Sequence, residues 1–121
     1  NITVASWPEY DVQTLLKESA LLVTDFSSVA MDFAYMKKPL IYYQFDNKKF
    51  RESHHQIGYF DFERDGFGPV CMSEQEVIHQ ILRFHEQNFD NDEIYLQRHQ
   101  KYFDLWDTDN CERNYKAIKE M

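Results

Sequence analysis

A chain of 121 residues has room for one compact domain, and its formal net charge of −8 argues against a general nucleic-acid binder, which needs a basic face against phosphates. An aromatic content of 17% with only three glycines excludes a disordered or low-complexity chain. Cys71 and Cys111 give neither a disulfide framework nor a zinc spacing, so a reducing compartment is expected, and no apolar run approaches the ~20 residues of a membrane span.

Ile2 to Ala5 reads as a short strand, so abrupt a start that the chain is expected to be part of a longer protein. Trp7-Pro8 breaks it, and Asp11 is placed to cap a helix carrying Val12, Leu15 and Leu16 on one face. Leu21 to Thr24 reads as a strand buried on both faces. Asp25-Phe26-Ser27-Ser28 is a turn, followed by a helix with Val29, Phe33 and Met36 along one side. That helix is expected to end near Lys37-Lys38, where cations suit the carboxyl terminus, before Pro39. Leu40 to Tyr43 is a third strand, so strands and helices alternate and imply a parallel sheet. Residues 44–70 form a long polar and aromatic connection, of the kind that is more often functional than idle. Ser73-Glu74-Gln75-Glu76 has the form of a capping box, with Val77, Ile78, Ile81 and Leu82 behind it. Helices carrying Tyr95, Tyr102 and Trp106, then Cys111, Tyr115 and Ile118, complete a helical carboxyl-terminal end.

The strand-to-helix turn is where this pattern can carry chemistry. Ligands of open α/β sheets bind at the carboxyl ends of the strands, and a helix start offers unpaired N–H groups to an anion. Ser27 and Ser28 add two hydroxyls there and Thr24 a third. Asp25 is anionic and is expected to turn away from a ligand and bond N–H groups of the next loop. Asp32 lies four residues beyond Ser28 on the same helical face, where a carboxylate can accept bonds from ribose hydroxyls. The alternative for each is structural: Ser-Ser as a helix cap, Asp32 as a first-turn acid favouring the dipole.

The run from Leu15 to Asp46, centred on Val-Thr-Asp-Phe-Ser-Ser-Val-Ala-Met-Asp-Phe, resembles the CDP-glycerol glycerophosphotransferases of teichoic acid synthesis. Phe50-Arg51, Gly58 to Glu63, Asp65 to Val70 and, more weakly, Asp109 to Arg113 continue the resemblance over nearly the whole chain. It implies a GT-B enzyme of two Rossmann-like domains, with residues 1–121 as the carboxyl-terminal part of the nucleotide-binding domain: a partial Rossmann-like α/β unit with a short parallel sheet and flanking helices. It implies a CDP-glycerol donor, a lipid-linked polymer acceptor, an amino-terminal half of the enzyme, and a peripheral place at the inner face of the cell membrane. It implies catalytic histidines upstream of this segment and no transferase activity from the segment alone; no cofactor or metal is expected. Ser27 and Ser28 look like the diphosphate-binding pair, and Asp32 stands where related sugar-nucleotide enzymes place a ribose-binding glutamate.

Among the remaining residues, Arg51 is the cation best suited to neutralise a phosphate, with a structural salt bridge as its alternative, and Lys48 and Lys49 read as solvated. His54 and His55 titrate in a useful range but have no partner acid fixed by the sequence. His79, His85 and His99 read as solvated or packed. Asp46, Asp61, Glu63 and Asp65 read as hydrated turn caps, and Tyr42, Tyr43, Tyr59, Phe60 and Phe62 as core or base-stacking rings. A nucleotide-sugar glycosyltransferase on the same fold and a non-catalytic docking domain are the rival functions.

Overall fold

The computed structural model describes residues 2–46 and 59–121, which form a three-stranded parallel sheet and six helices. The order along the chain is α1 (Val12–Glu18), β1 (Leu22–Thr24), α2 (Val29–Tyr35), β2 (Leu40–Tyr43), α3 (Phe62–Asp65), β3 (Val70–Cys71), α4 (Glu74–Glu86), α5 (Glu93–Tyr102) and α6 (Asn110–Lys119). The strands lie in the order β1-β2-β3, with Leu22 opposite Leu40 and Tyr42 opposite Val70. All three carboxyl ends therefore meet at one edge.

The central strand β2 organises the core. Leu40, Ile41 and Tyr42 are fully buried, and the two-residue period sends them to opposite faces. Leu40 and Tyr42 pack with Ala30, Phe33 and Ala34 of α2 and with Phe67. Ile41 packs with Cys71 and with Val77 and Phe84 of α4. The Tyr42 hydroxyl accepts the Phe67 N–H at 3.4 Å, and burial pushes its pKa up to about 12.

The predicted caps form. Asp11 accepts the Thr14 N–H at 2.8 Å, and Ser73 and Glu76 complete both halves of the capping box. Four expectations need correction. Ile2 to Ala5 makes no strand and is exposed, because no neighbour among the described residues offers it a ladder. β1 begins at Leu22 and is not buried on both faces: it is the edge strand, and its Val23 is 41% exposed. The doubly buried strand is β2. α2 ends at Tyr35, two residues early, because Lys37 takes a left-handed conformation (φ 60°). Lys38 then serves a different helix, its ammonium donating to the carbonyls of Leu16 at 3.0 Å and Ser19 at 2.8 Å at the end of α1, while Lys37 sits 4.5 Å from the Trp106 ring centre.

Gly68 shows how closely the segment leading into β3 approaches β2. A Cβ built there would lie 1.9 Å from the Leu40 carbonyl oxygen. Gly68→Ala is expected to push the strands apart and destabilise the fold by about 2–3 kcal/mol, read as a lower urea midpoint at unchanged m-value; an unaltered midpoint would contradict this packing.

Candidate functional site

β1 ends at Thr24, and the next four residues cross the carboxyl edge of the sheet before α2 starts. The turn is held by its own side chains. Asp25 Oδ1 accepts the Ser27 N–H at 3.1 Å, the bond of an aspartate to the backbone two residues on. The Ser27 hydroxyl accepts the Val29 N–H at 3.4 Å. Asp25 is thus not bonded to the next loop as expected, but sits in the turn and occupies one of the N–H groups that an anion would otherwise meet. The backbone closes the first turn of the helix through Ala30 N–H to Ser27 O (3.2 Å) and Met31 N–H to Ser28 O (2.9 Å).

The hydroxyls add donors to the turn. Ser27 and Ser28 are exposed, and Ser28, though it occupies the N-cap position, makes no side-chain capping bond. The Ser27 oxygen accepts from Val29, which leaves its hydroxyl hydrogen to donate outward. Thr24 is half-buried at the strand end, opposite Tyr42. Asp32 is exposed one turn into α2 and borders two clefts: one of about 240 Å³ toward Gln13, Leu16 and Lys17 of α1, the other of about 280 Å³ toward Tyr35, Phe103 and Asn110. Thr24, Ser27, Ser28 and Asp32 therefore belong to one strand–turn–helix unit. Arg51, His54, His55, Lys48 and Lys49 lie outside the described residues.

The other sequence candidates separate by burial. Asp61 caps α3 through the Arg64 N–H at 2.8 Å, and Asp65 accepts the Asp61 N–H at 3.0 Å, so two of the four acids are turn caps. Bonding to Arg64 holds the Asp65 carboxyl down at about 2. Tyr42, Phe60 and Phe62 are packing rings, whereas Tyr59 is 86% exposed. His79 and His85 are exposed.

A feature absent from the sequence reading is a cleft of about 300 Å³ between α3 and α5. Arg64, Arg98 and Lys101 converge on it, among the rings of Tyr59, Phe60 and Tyr102. Arg98 and Lys101, three residues apart on one helical face, were the available signal, but Arg64 comes from another element.

These residues stand in a recognisable family. The model of the CDP-glycerol:poly(glycerophosphate) glycerophosphotransferases matches residues 2–120. The chain belongs to that family. It is similar to the minor teichoic acid biosynthesis protein GgaB of Bacillus subtilis, 36% identical over 90% of this chain and 12% of that protein. It is also similar to the teichoic acid poly(glycerol phosphate) polymerase of Bacillus subtilis, 34% identical over 65% of this chain and 10% of the polymerase. With the teichoic acid glycerol-phosphate transferase of Staphylococcus aureus it is 29% identical over 89% of this chain and 28% of that protein. The chain thus spans about a tenth of the first two relatives, 12% and 10%. No solved structure matches it significantly.

His99 is the buried titratable group beside the 300 Å³ cleft. It is fully buried against the Phe67 ring (5.1 Å between centres), and neither ring nitrogen has a hydrogen-bond partner among the described residues. Burial, helped by the charge of Lys37, lowers its pKa from 6.5 to about 4, and the Phe67 backbone opposes this without forming a full hydrogen bond. Between pH 6.5 and about 4 the unfolded chain takes up a proton that the folded chain refuses. Stability present above pH 6.5 is therefore expected to fall across that window, by about 3 kcal/mol at most. Urea titrations of His99→Leu over the same range should give a flatter pH dependence than the parent; parallel curves would exclude His99 as the cause.

Proposed function

We propose that this chain is the carboxyl-terminal part of the nucleotide-binding domain of a GT-B glycerophosphotransferase, which uses CDP-glycerol to build teichoic acid or a related polyol-phosphate polymer. The observation that carries the reading is a pair of exposed serine hydroxyls at the carboxyl end of a parallel strand, in a chain of this family. The relatives, a poly(glycerol phosphate) polymerase and a glycerol-phosphate transferase of teichoic acid synthesis, favour this donor over a nucleotide sugar.

In the proposed reaction an acceptor hydroxyl attacks the phosphorus that carries glycerol, a new phosphodiester forms, and the bridging bond to CMP breaks. The hydroxyl proton passes to a base supplied by the rest of the enzyme. The Ser27 and Ser28 hydroxyls, with Thr24 behind them, donate to the diphosphate and stabilise the charge that grows on departing CMP. Asp32 accepts from the ribose, and Arg51 neutralises a phosphate. Asp25 acts on the turn rather than on the ligand: by holding the Ser27 N–H it fixes where the two hydroxyls stand.

The reading also accounts for apolar surface left open. Val23 on the edge strand, and Tyr115 and Ile118 on α6, are 41%, 65% and 71% exposed, which suits a unit packed against the remaining half of a larger enzyme. The lipid-linked acceptor would bring that enzyme to the inner membrane face as a peripheral protein; no helix among the described residues is long and apolar enough to cross a membrane.

In the full-length protein, Ser27→Ala with Ser28→Ala is expected to weaken CDP-glycerol binding tenfold or more, about 1.4 kcal/mol, read by calorimetry. Equal affinity in parent and variant would remove these serines from the donor site.

A further inference from the structure

The cleft between α3 and α5 has a charge balance opposite to that of the chain. The chain carries a formal net charge of −8, yet Arg64, Arg98 and Lys101 meet here with Asp65 as the one acid of the lining among the described residues. Arg64 is held in place: its Nε donates to Asp65 Oδ1 at 2.9 Å and its Nη2 to the Tyr59 carbonyl at 2.8 Å. Arg98 donates to the Gly66 carbonyl at 2.8 Å and lies 5.4 Å from the Tyr95 ring centre. A guanidinium has five N–H donors, so both arginines keep donors for a ligand. Lys101 is exposed, and its charge acts on Asp65 without an ion pair among the described residues.

Two hydrogen-bonded guanidinium groups and an exposed ammonium suit phosphate oxygens, and the rings of Tyr59 and Tyr102 offer apolar walls to the carbon units between phosphates. The volume of about 300 Å³ is at the lower end of small-ligand sites, and the cleft is an open trough. Its place in the fold matters as well. Phe62 of α3 packs edge-on against Phe26 of the serine turn, 5.7 Å between centres, and Arg64 and Asp65 of the same short helix line the cleft. One helical turn thus separates the proposed donor turn from the cationic trough.

We propose that this trough binds the phosphodiester chain of the polyol-phosphate acceptor, holding an anionic polymer next to the donor site on a chain whose net charge would otherwise repel it. The proposal rests on the glycerophosphotransferase reading for the identity of the polymer. The attraction is local, between cations and successive phosphates, and opposes the unfavourable field of the whole chain.

The test is calorimetry on the full-length protein with a synthetic glycerol-phosphate oligomer, CDP-glycerol and inorganic phosphate as separate probes. Lys101→Glu is expected to weaken oligomer binding about tenfold or more and Lys101→Ala about threefold, with Lys101→Arg close to the parent and CDP-glycerol affinity unchanged in all three. Unchanged oligomer affinity in Lys101→Glu would overturn the proposal. So would a parallel loss of CDP-glycerol binding, or inorganic phosphate binding as tightly as the oligomer. Failure of the donor reading is seen separately, as CDP-glycerol affinity indifferent to the two serines while the oligomer still responds to residue 101.

Discussion

The parallel ladder between β1 and β2 is the constraint on which the rest depends. Pairing Leu22 with Leu40 and Thr24 with Tyr42 fixes where β1 stops, and hence where the chain must turn. β2 supplies the anchorage, since Leu40, Ile41 and Tyr42 are buried between α2 on one face and α4 on the other. Burying a large apolar side chain is worth about 1.5–3 kcal/mol, so a strand buried on both faces has one register that does not expose part of that set. The serine turn inherits this precision without belonging to the core.

Charge sets the second constraint. A strongly acidic chain can hold phosphates only where hydroxyls or cations are concentrated. The two candidate regions solve this differently. At the turn, Asp25 ties up a backbone N–H beside two exposed, neutral serine hydroxyls. At the trough, three cations outnumber the single Asp65, which stays ionised because Arg64 bonds it. Neutral donors suit a diphosphate that is cleaved, because charge grows on the departing CMP, and fixed cations suit a polymer whose charge does not change.

Local signals were legible in the sequence and tertiary ones were not. Asp11, Ser73 and Glu76 act within four residues of themselves, so their caps could be read directly. From Val12 through Tyr43 the order of helices and strands followed from hydrophobic period and Pro39, whereas the strand expected at Ile2 to Ala5 did not form. Burial of β1 was misjudged because an apolar run looks alike in an edge and a central strand. The end of α2 was misplaced because Lys37 adopts a left-handed conformation that Gly or Asn would have announced. Lys38 was assigned to the wrong helix because its partners, Leu16 and Ser19, lie about twenty residues earlier. The serine turn was found because its residues are contiguous; the trough was missed because its cations come from α3 and α5.

The central claim is that the Thr24–Ser28 turn receives the diphosphate of the donor. Amide NMR of the full-length protein titrated with CDP addresses it most directly. The account predicts saturable shifts centred on residues 24–28 and extending to Asp32, with the Ser27 amide still bonded to Asp25. Saturation by CDP with those amides unmoved, and shifts elsewhere in the protein, would contradict it.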